Sequence, residues 1–292
     1  MIKVILKLLT IFFLLIVGFF KSQSQTLPAL SPLSEVKDKI GYTNVKIEYS
    51  RPSVKGRQIF GDLVPMNKVW RAGANDDTKV TFSTDVKINN KTLKEGTYSI
   101  FIKPKQNTWV IYFYQKDSSD IGGVPPQDRD VAHAWKAEKL KLEYETPIKI
   151  TEHTETLTIG IQDIKLNKGK LFIAWDNIKA IVPFSTNAVE TAISQIENRF
   201  KEPAGFSQYL YADFYQANNI ELEKALKYIN KAIELEQSSW WFLRCKSQIL
   251  AKLKKYDEAI KTAKKGLEIA EKEGSNFYIT QSKNDIKRWT NI

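Results

Sequence analysis

Two stretches of the chain combine basic, aromatic and small residues in a pattern suited to binding an anion. They are RPSVKGRQIFG and KVWRAGANDD, and both lie between strand-like runs. The guanidinium groups of Arg51, Arg57 and Arg71 each present a planar set of donors that matches a carboxylate or a phosphate. Trp70 offers a flat face for stacking, and Asn75 adds an amide close to Arg71. These five residues are candidates for binding a ligand.

Both stretches belong to one irregular segment, residues 51–77, which we call the crossover. It is far longer than a usual connection between strands, and such segments in compact domains tend to be functional or disordered. Ile59, Leu63 and Val69 require burial, so we expect an ordered crossover packed on the domain. Two hypotheses remain open for its arginines. They bind an anionic or glycan ligand, or they pair with nearby carboxylates and hold the crossover in place; those carboxylates are Asp62, Asp76, Asp77 and Asp85.

A histidine supplies the other candidate chemistry. His133 lies in DRDVAHAWK close to Asp128 and Asp130, so an imidazole and two carboxylates could act as acid and base. His133 therefore joins the candidates for ligand binding, and a hydrolase acting on an envelope or dietary polymer is the alternative function. His153 is interpreted as a surface residue at a strand edge. With two histidines and no CxxC pair, no metal site and no cofactor are predicted.

Nucleophilic catalysis finds little support in the sequence. The chain has no G-x-S-x-G motif, and its single cysteine, Cys245, lies in the apolar context SSWWFLRCKSQIL. That context favours a buried small hydrophobe over a reactive thiol. No catalytic residue is assigned, and the enzyme question stays open with the balance towards a protein that is not an enzyme.

The amino terminus has the pattern of a secretory signal peptide. Lys3 and Lys7 precede an apolar run over residues 8–20, and Ser22 and Ser24 suit cleavage after residue 24. The apolar run is shorter than the roughly 20 residues that span a bilayer, so an uncleaved anchor is the weaker alternative. We therefore expect export to the periplasm or the medium, with no transmembrane segment after cleavage. The net charge of +11 is interspersed with acidic residues, which argues against a nucleic-acid partner.

The hydrophobic period divides the remaining chain into two predicted domains. Over residues 25–184 the period is two, and runs such as GTYSIFIK and TWVIYFYQ read as strands. Without long helical patterns between them, these strands predict an antiparallel β-sandwich or jelly roll. Over residues 185–292 the period becomes 3.6, which predicts an all-α domain.

The helical half contains an internal repeat. NNIELEKALKYINKAIELEQ and KKYDEAIKTAKKGLEIAEKE align without a gap, so that Ala225 corresponds to Ala259, 34 residues later. This spacing resembles tetratricopeptide repeats, with FYITQSKNDIKRW as a capping helix. The resemblance implies a platform for a protein or peptide partner. The aromatic residues available to it are Tyr209, Tyr211, Tyr215, Trp240 and Trp241.

The β half also resembles a known family. The motifs YSRPSVKGRQIFGDLVP, KVWRAGAN and TFSTDVKINNKTLKEGTYSIF are similar to those of the bacterial domain of unknown function 2911, over about residues 31–184. Asn67 and Ala72 depart from the family pattern, in which Gly and Thr stand. The resemblance implies an exported β-domain followed by helical repeats, and it implies no activity. The leading hypothesis is a non-catalytic binding module of the cell envelope; a purely structural envelope component is a further alternative.

Overall fold

The computed structural model describes residues 28–115, 136–199, 204–236 and 240–292. The chain divides into two compact units, Met1–Val189 and Glu190–Ile292. Antiparallel strands make up the first unit and helices the second, which confirms the predicted order of a β domain followed by a helical domain. The predicted signal peptide lies outside the described residues.

The strands of the first unit form two sheets. Their bounds are β1 Leu33–Ile40, β2 Thr43–Ser50, β3 Thr78–Phe82, β4 Val86–Ile88, β5 Lys91–Leu93, β6 Gly96–Pro104, β7 Thr108–Tyr114, β8 Leu140–Pro147, β9 Lys149–Lys165 and β10 Lys168–Thr186. One sheet has the order β1-β2-β3-β6-β7-β8 and the other the order β5-β4-β10-β9. All of the strand pairs are antiparallel.

The main apolar core of the β unit takes side chains from both sheets. Along β2, Val45, Ile47 and Tyr49 are buried while the residues between them are more exposed, as the period of two predicted. Trp109 of β7 and Trp175 of β10 are each 1% exposed, and both belong to this core. The short connection between β4 and β5 is a tight turn, in which Asn89 and Asn90 have φ of 47° and 63°, a conformation that asparagine tolerates.

Within the described residues, six helices follow the strands. They are α1 Ala188–Arg199, α2 Gly205–Ala217, α3 Leu222–Leu235, α4 Trp240–Lys252, α5 Tyr256–Lys272 and α6 Asn276–Thr290. The helix α2 packs against α3, and α4 packs against α5. The positions that repeat in the sequence are buried in these packings: Ala225, Ile229, Ala232, Ala259, Ala263 and Gly266.

Small residues in the helical unit allow close approach of paired helices. A Cβ at Gly266 would lie 3.2 Å from the Cβ of Leu243, so α4 and α5 nearly touch at this point. Cys245 is a buried free cysteine, and burial raises the pKa of its thiol to about 12, which leaves it protonated and unreactive at neutral pH. Across the described parts of the chain, helices are too short or too polar to span a bilayer.

Candidate functional site

The crossover joins the two sheets of the β unit. Near its start, Ser53 forms an isolated bridge with Thr156 of β9, in the four-stranded sheet. Near its end, Trp70 pairs with Ile102 of β6, in the six-stranded sheet, through two backbone hydrogen bonds of 2.8 Å. The ordered chain between these bridges therefore clamps both sheets at once.

Aromatic packing seats the crossover on the core. The rings of Trp70 and Trp175 stack at 5.6 Å with an interplanar angle of 18°. Phe60 lies 5.0 Å from Trp109 and 6.3 Å from Trp175, measured between ring centroids. The Trp70 indole also donates to the carbonyl of Gly73 at 3.2 Å. One face of Trp70 is thus occupied by Trp175, and the indole N–H by the crossover itself.

The three candidate arginines of the crossover bond to neutral oxygens. Arg51 donates from Nε to the carbonyl of Leu157 and from Nη2 to the hydroxyl of Thr158, both at 3.1 Å. Arg57 donates at 3.0 and 2.5 Å to carbonyls of its own turn. Arg71 donates from Nη1 to the carbonyl of Asn75 at 2.8 Å. Within the described residues, none of the three guanidinium groups forms an ion pair.

Gly73 and Asn75 stabilise the tight turn that follows Arg71. Asn75 has φ of 57°, and its side-chain amide donates to the carbonyl of Ser31 at 3.2 Å and to the hydroxyl of Ser50 at 3.3 Å. A Cβ at Gly73 would lie 3.1 Å from the carbonyl oxygen of Ser50, closer than most real contacts, which explains the small residue. Asn75 is therefore engaged in closing the turn.

The nearby carboxylates have partners other than the arginines. Asp85 pairs with Lys94 at 2.9 Å and accepts from the backbone amide of Glu95 at 3.0 Å. These two contacts hold the pKa of Asp85 below its usual value, with the Lys94 bond contributing most. Asp77 accepts a short hydrogen bond from Ser99 of β6. The arginines hold the crossover through carbonyl and hydroxyl oxygens, and the expected pairing with these two carboxylates is not formed.

The remaining candidate from the sequence, His133, lies outside the described residues, as do Asp128 and Asp130. The hydrolase alternative depends on those three side chains. In the described part of the chain, Arg51, Arg57 and Arg71 donate to carbonyl and hydroxyl oxygens, and no carboxylate or imidazole accepts from them.

The second histidine has a structured environment. His153 of β9 contacts Asp176 of β10 through Nδ1 at 3.2 Å and Glu155 through Nε2 at 3.1 Å. The bond to Glu155 contributes most to a raised pKa of His153, and the bond to Asp176 adds to it. Glu155 in turn accepts from the backbone amide of Lys55 at 2.9 Å, which lowers the pKa of Glu155. The histidine thus supports the carboxylate that fastens the first turn of the crossover.

Sequence reasoning placed His153 on the surface but gave it no partners. Glu155 was visible in principle, because residues two apart on a strand lie on the same face. Asp176 could not be identified as a partner of His153 from the sequence, because its position beside His153 depends on the register of β9 and β10. Among the described residues, no three or more His, Cys, Asp or Glu side chains are grouped so as to hold a metal ion.

A row of polar side chains crosses the helical unit. We call it the polar row, and it lies on α2, α4 and α6. Its members are three, four or seven residues apart on each helix, which places them on one face of that helix. They are Tyr209, Asp213 and Gln216 on α2, Arg244, Gln248 and Lys252 on α4, and Tyr278, Asp285 and Arg288 on α6.

Side-chain contacts connect the three helices along this row. Nε2 of Gln216 lies 2.7 Å from Oε1 of Gln248, and Nε2 of Gln248 lies 3.5 Å from Oδ2 of Asp285. With its oxygen and nitrogen exchanged, the Gln248 amide instead accepts from Arg244 at 2.9 and 3.2 Å. Asp285 pairs with Arg244 at 3.5 Å and with Arg288 at 2.8 Å. A polar network therefore runs without a break from α2 to α6.

Burial perturbs the charged groups of the polar row. It raises the pKa of Asp213 and lowers the pKa of Lys252, because each loses hydration that its charge requires. It also raises the pKa of Tyr209 to about 12. Nε of Arg244 is buried without an acceptor among the described residues. Such incompletely satisfied groups are concentrated at binding and catalytic sites.

The polar row was missed from the sequence, where only the aromatic residues of this unit were noted. Its signal was the spacing of Arg244, Gln248 and Lys252 on the helix that also carries Cys245. A single polar stripe is typical of any solvated helix face, so the spacing alone does not indicate a network. The side-chain contacts that join α2 to α4 and α4 to α6 show that the three stripes form one network.

Two concave surfaces lie in the helical unit. A groove of about 980 Å³ is lined by residues of α1, α3 and the turn before α3, and its Lys224 is bound to Glu197 at 2.5 Å and to Glu221 at 3.4 Å. The bond to Glu197 contributes most to a raised pKa of Lys224, and the two carboxylates compensate the positive charge of its ammonium group. A smaller cavity of about 360 Å³ opens at the end of the polar row, where Lys252 and Arg288 are among its lining residues.

Comparison with known proteins identifies the β unit only. A family model described as "Protein of unknown function (DUF2911)" matches residues 31–184. A solution structure of protein BPP2914 from Bordetella parapertussis shares 13% identity, with a TM-score of 0.29, over 35% of this chain and 84% of that one. No curated protein matches the chain.

Proposed function

Since the chain belongs to the DUF2911 family of proteins of unknown function, we propose from its geometry that it is a non-catalytic binding protein of the cell envelope. Its binding surface is the polar row of the helical unit, and its ligand is an extended segment of a protein partner. The crossover of the β unit serves as a structural clamp. The sequence favoured the crossover as the ligand-binding surface, whereas this proposal places binding on the polar row.

The continuous network across α2, α4 and α6 carries the proposal. An extended peptide exposes a backbone donor or acceptor at every residue, and side-chain amides can satisfy both kinds of group. Gln216 and Gln248 place such amides on the first helices of successive pairs, α2 and α4, with Nε2 of Gln216 2.7 Å from Oε1 of Gln248. Tyr209 and Tyr278 add aromatic surface of the kind that is enriched in interfaces. The row thus has the donors, acceptors and rings that recognition of a peptide requires.

The repeat architecture agrees with this assignment. The paired helices α2–α3 and α4–α5 carry the 34-residue spacing of tetratricopeptide repeats, and the polar row lies on the first helix of each pair and on α6. Equivalent helices in stacked repeats form one extended surface. We propose that these helices are degenerate tetratricopeptide repeats and that the row is their partner-binding surface.

We also propose that the protein acts outside the cytoplasm. The basic start, the apolar run over residues 8–20 and the small residues after it support a cleaved signal peptide. The absence of any second cysteine to pair with Cys245 leaves stability to the packed cores of the two units. N-terminal sequencing of the protein recovered from the periplasm or the medium of the native host tests this point, with a new terminus at Gln25 expected.

The binding function is tested with a displayed peptide library selected against the purified chain. We expect peptides to be enriched, and their affinity, measured by fluorescence anisotropy, to fall about tenfold in Gln248→Ala, because one amide bridge of the network is lost. Lys265→Ala, an exposed residue of α5 outside the row, is the control and should bind as the wild type does. Selection of no peptide, or equal binding by both variants, would contradict the proposal.

A further inference from the structure

Strand β1 forms one edge of the six-stranded sheet, and its outer side has no partner among the described strands. Its inner side pairs with β2 over all eight residues. The edge of β9 differs, because the crossover bonds to it through the Val54 and Leu157 amides. An edge strand without such cover offers a row of backbone N–H and C=O groups to another strand.

The register of β1 and β2 determines which backbone groups face outward. The amide of Arg51 donates to the carbonyl of Pro32 at 2.9 Å, and hydrogen-bonded pairs alternate with non-bonded pairs along an antiparallel ladder. Counting from that pair, Ser34, Val36 and Asp38 bond to β2. The residues between them direct their N–H and C=O groups away from the sheet, and they are Leu33, Glu35, Lys37 and Lys39.

Two of these outward-facing residues carry opposite charges on the solvent side of the sheet. The side chains of Glu35 and Lys37 are 40% and 69% exposed. Within one chain, Glu35 pairs with Lys37 at 2.6 Å and with Lys46 of β2 at 2.9 Å. These bonds lower the pKa of Glu35 and keep its carboxyl ionised, with the Lys37 bond contributing most. The free edge therefore presents one negative and one positive side chain, two residues apart.

Pairing of β1 with β1 of a second copy has one register in which these charges match. Outward-facing residues must lie opposite outward-facing residues, so neighbouring registers differ by a step of two. With Val36 on the two-fold axis, Glu35 of each copy lies opposite Lys37 of the other copy. One step in either direction places Glu35 opposite Glu35 or Lys37 opposite Lys37, and like charges directly opposite destabilise a strand pair.

The register centred on Val36 also satisfies the backbone and the inner face. Leu33 lies opposite Lys39 and Glu35 opposite Lys37, which gives about eight backbone hydrogen bonds over the two halves of the pair. Val36 packs against the apolar core of its own unit and would meet Val36 of the second copy in a closely spaced pair.

We propose that β1 docks on β1 of a second copy of this chain, antiparallel and centred on Val36, so that two six-stranded sheets become one continuous sheet. The interface uses the same strand from both copies, as a two-fold dimer requires. It does not involve the polar row, so it holds whether or not that row binds a peptide. A single strand pair is smaller than a typical stable interface, so we expect a dissociation constant of about 10 μM.

Sedimentation velocity of the purified chain at about 1 to 100 μM tests the association. We expect the mass to rise from one chain to two across this range. Hydrogen exchange at the two ends of the range locates the interface. The amides of Glu35, Lys37 and Lys39 should gain protection in the dimer, whereas the amide of Val36, already bonded to β2, should be protected in both states.

Charge reversal tests the register. Glu35→Lys and Lys37→Glu should each weaken self-association about tenfold or more, because each places like charges opposite one another on both sides of the axis. An equimolar mixture of the two variants should associate as the wild type does, since every facing pair again has opposite charges. This rescue also shows that both variants fold.

Lys79→Glu is the matched control. Lys79 is an exposed residue on the same face of the same sheet, because Glu35 pairs with Glu48 and Glu48 pairs with Lys79. It lies on β3, two strands from the edge, and its reversal should leave the dimer unchanged.

Four results would overturn the inference. They are a chain that stays monomeric at every concentration, a dimer in which the outward-facing amides gain no protection, equal weakening by Lys79→Glu, and a mixture of the two reversed variants that does not associate. Addition of a strand from another protein to a chain that is monomeric alone would replace the second copy as the occupant of this edge, and would overturn it as well.

Discussion

The crossover of the β unit and the polar row of the helical unit each combine three cationic side chains with aromatic residues. In the crossover these are Arg51, Arg57 and Arg71, and in the row they are Arg244, Lys252 and Arg288. The crossover cations donate to carbonyl and hydroxyl oxygens of their own unit. The row cations contact one carboxylate, Asp285, and two amides, and Arg244 has a buried Nε without an acceptor among the described residues.

The difference shows that the composition of a cationic and aromatic segment does not decide its role. A guanidinium whose donors end on backbone carbonyls fixes the chain that supplies those carbonyls, because losing it leaves several acceptors without partners. A cation that is exposed at the edge of an open cavity, as Lys252 and Arg288 are, keeps its capacity for an external anion. The four predictions below test this distinction, beginning with the residue that contributes most to the clamp.

Trp70→Ala should cause the largest loss of stability. It removes a ring that stacks on Trp175 at 5.6 Å and leaves a cavity over the core, which costs roughly 3 kcal/mol of unfolding free energy. Because the chain has two units, we would follow each by hydrogen exchange, using the Ile102 amide that donates to the Trp70 carbonyl as the local probe. Its protection should fall by the same free energy.

The control for this change is Phe277→Ala, which removes an aromatic ring that is 66% exposed. It should alter stability by less than about 0.5 kcal/mol. If Trp70→Ala were equally mild while peptide or glycan binding changed, the crossover would be a ligand surface and the comparison would fail.

Asp285→Asn should destabilise the helical unit by about 2 kcal/mol. The carboxylate is only 11% exposed, accepts from Arg288 at 2.8 Å and lies 3.5 Å from Arg244, so its neutralisation weakens two ion pairs at a largely buried acceptor. The measurement is the urea midpoint of the helical circular dichroism signal. Glu268→Gln, an exposed residue of α5, is the control and should leave that midpoint unchanged. A stable Asp285→Asn variant would show that the network is not needed for folding.

Arg51→Ala should cost about 1.5 kcal/mol and Arg71→Ala about 0.5 kcal/mol. Arg51 makes two hydrogen bonds that reach β9, whereas Arg71 makes one, to a carbonyl four residues away in the same turn. Urea unfolding, followed by exchange of amides in β9, measures both. The reverse order would indicate that Arg71 acts as the tether. No loss in either variant would return both arginines to the ligand-binding hypothesis.

Features that depend on residues close together in the sequence were predicted correctly, and contacts between residues far apart in the sequence were not. The change of hydrophobic period near residue 185 and the apolar residues of the crossover were sufficient to predict strands, helices and a packed segment. The acceptors of Arg51 were not predictable, because Leu157 is separated from it by 106 residues. The polar row likewise depends on which helices lie side by side, and the spacing of Arg244, Gln248 and Lys252 within one helix does not specify that.

The smallest predicted effect concerns pH and the first turn of the crossover. The pKa of His153 is raised in the folded protein by Glu155 and Asp176, so protonated His153 stabilises the fold. This contribution is fully present below the ordinary histidine pKa of about 6.5 and is lost as the pH rises through the higher pKa of the folded state.

His153→Gln should therefore lower the urea midpoint of the β unit at pH 6 and have less effect at pH 8.5. Glu155 also accepts from the Lys55 amide at 2.9 Å, a bond that does not depend on the histidine, so Glu155 should stay in place when the imidazole loses its proton. The expected difference is small because His153 and Glu155 are exposed and Asp176 is partly exposed. An equal effect at both values of pH would mean that His153 contributes packing rather than charge, and the turn would then be held by Glu155 and Lys55 alone.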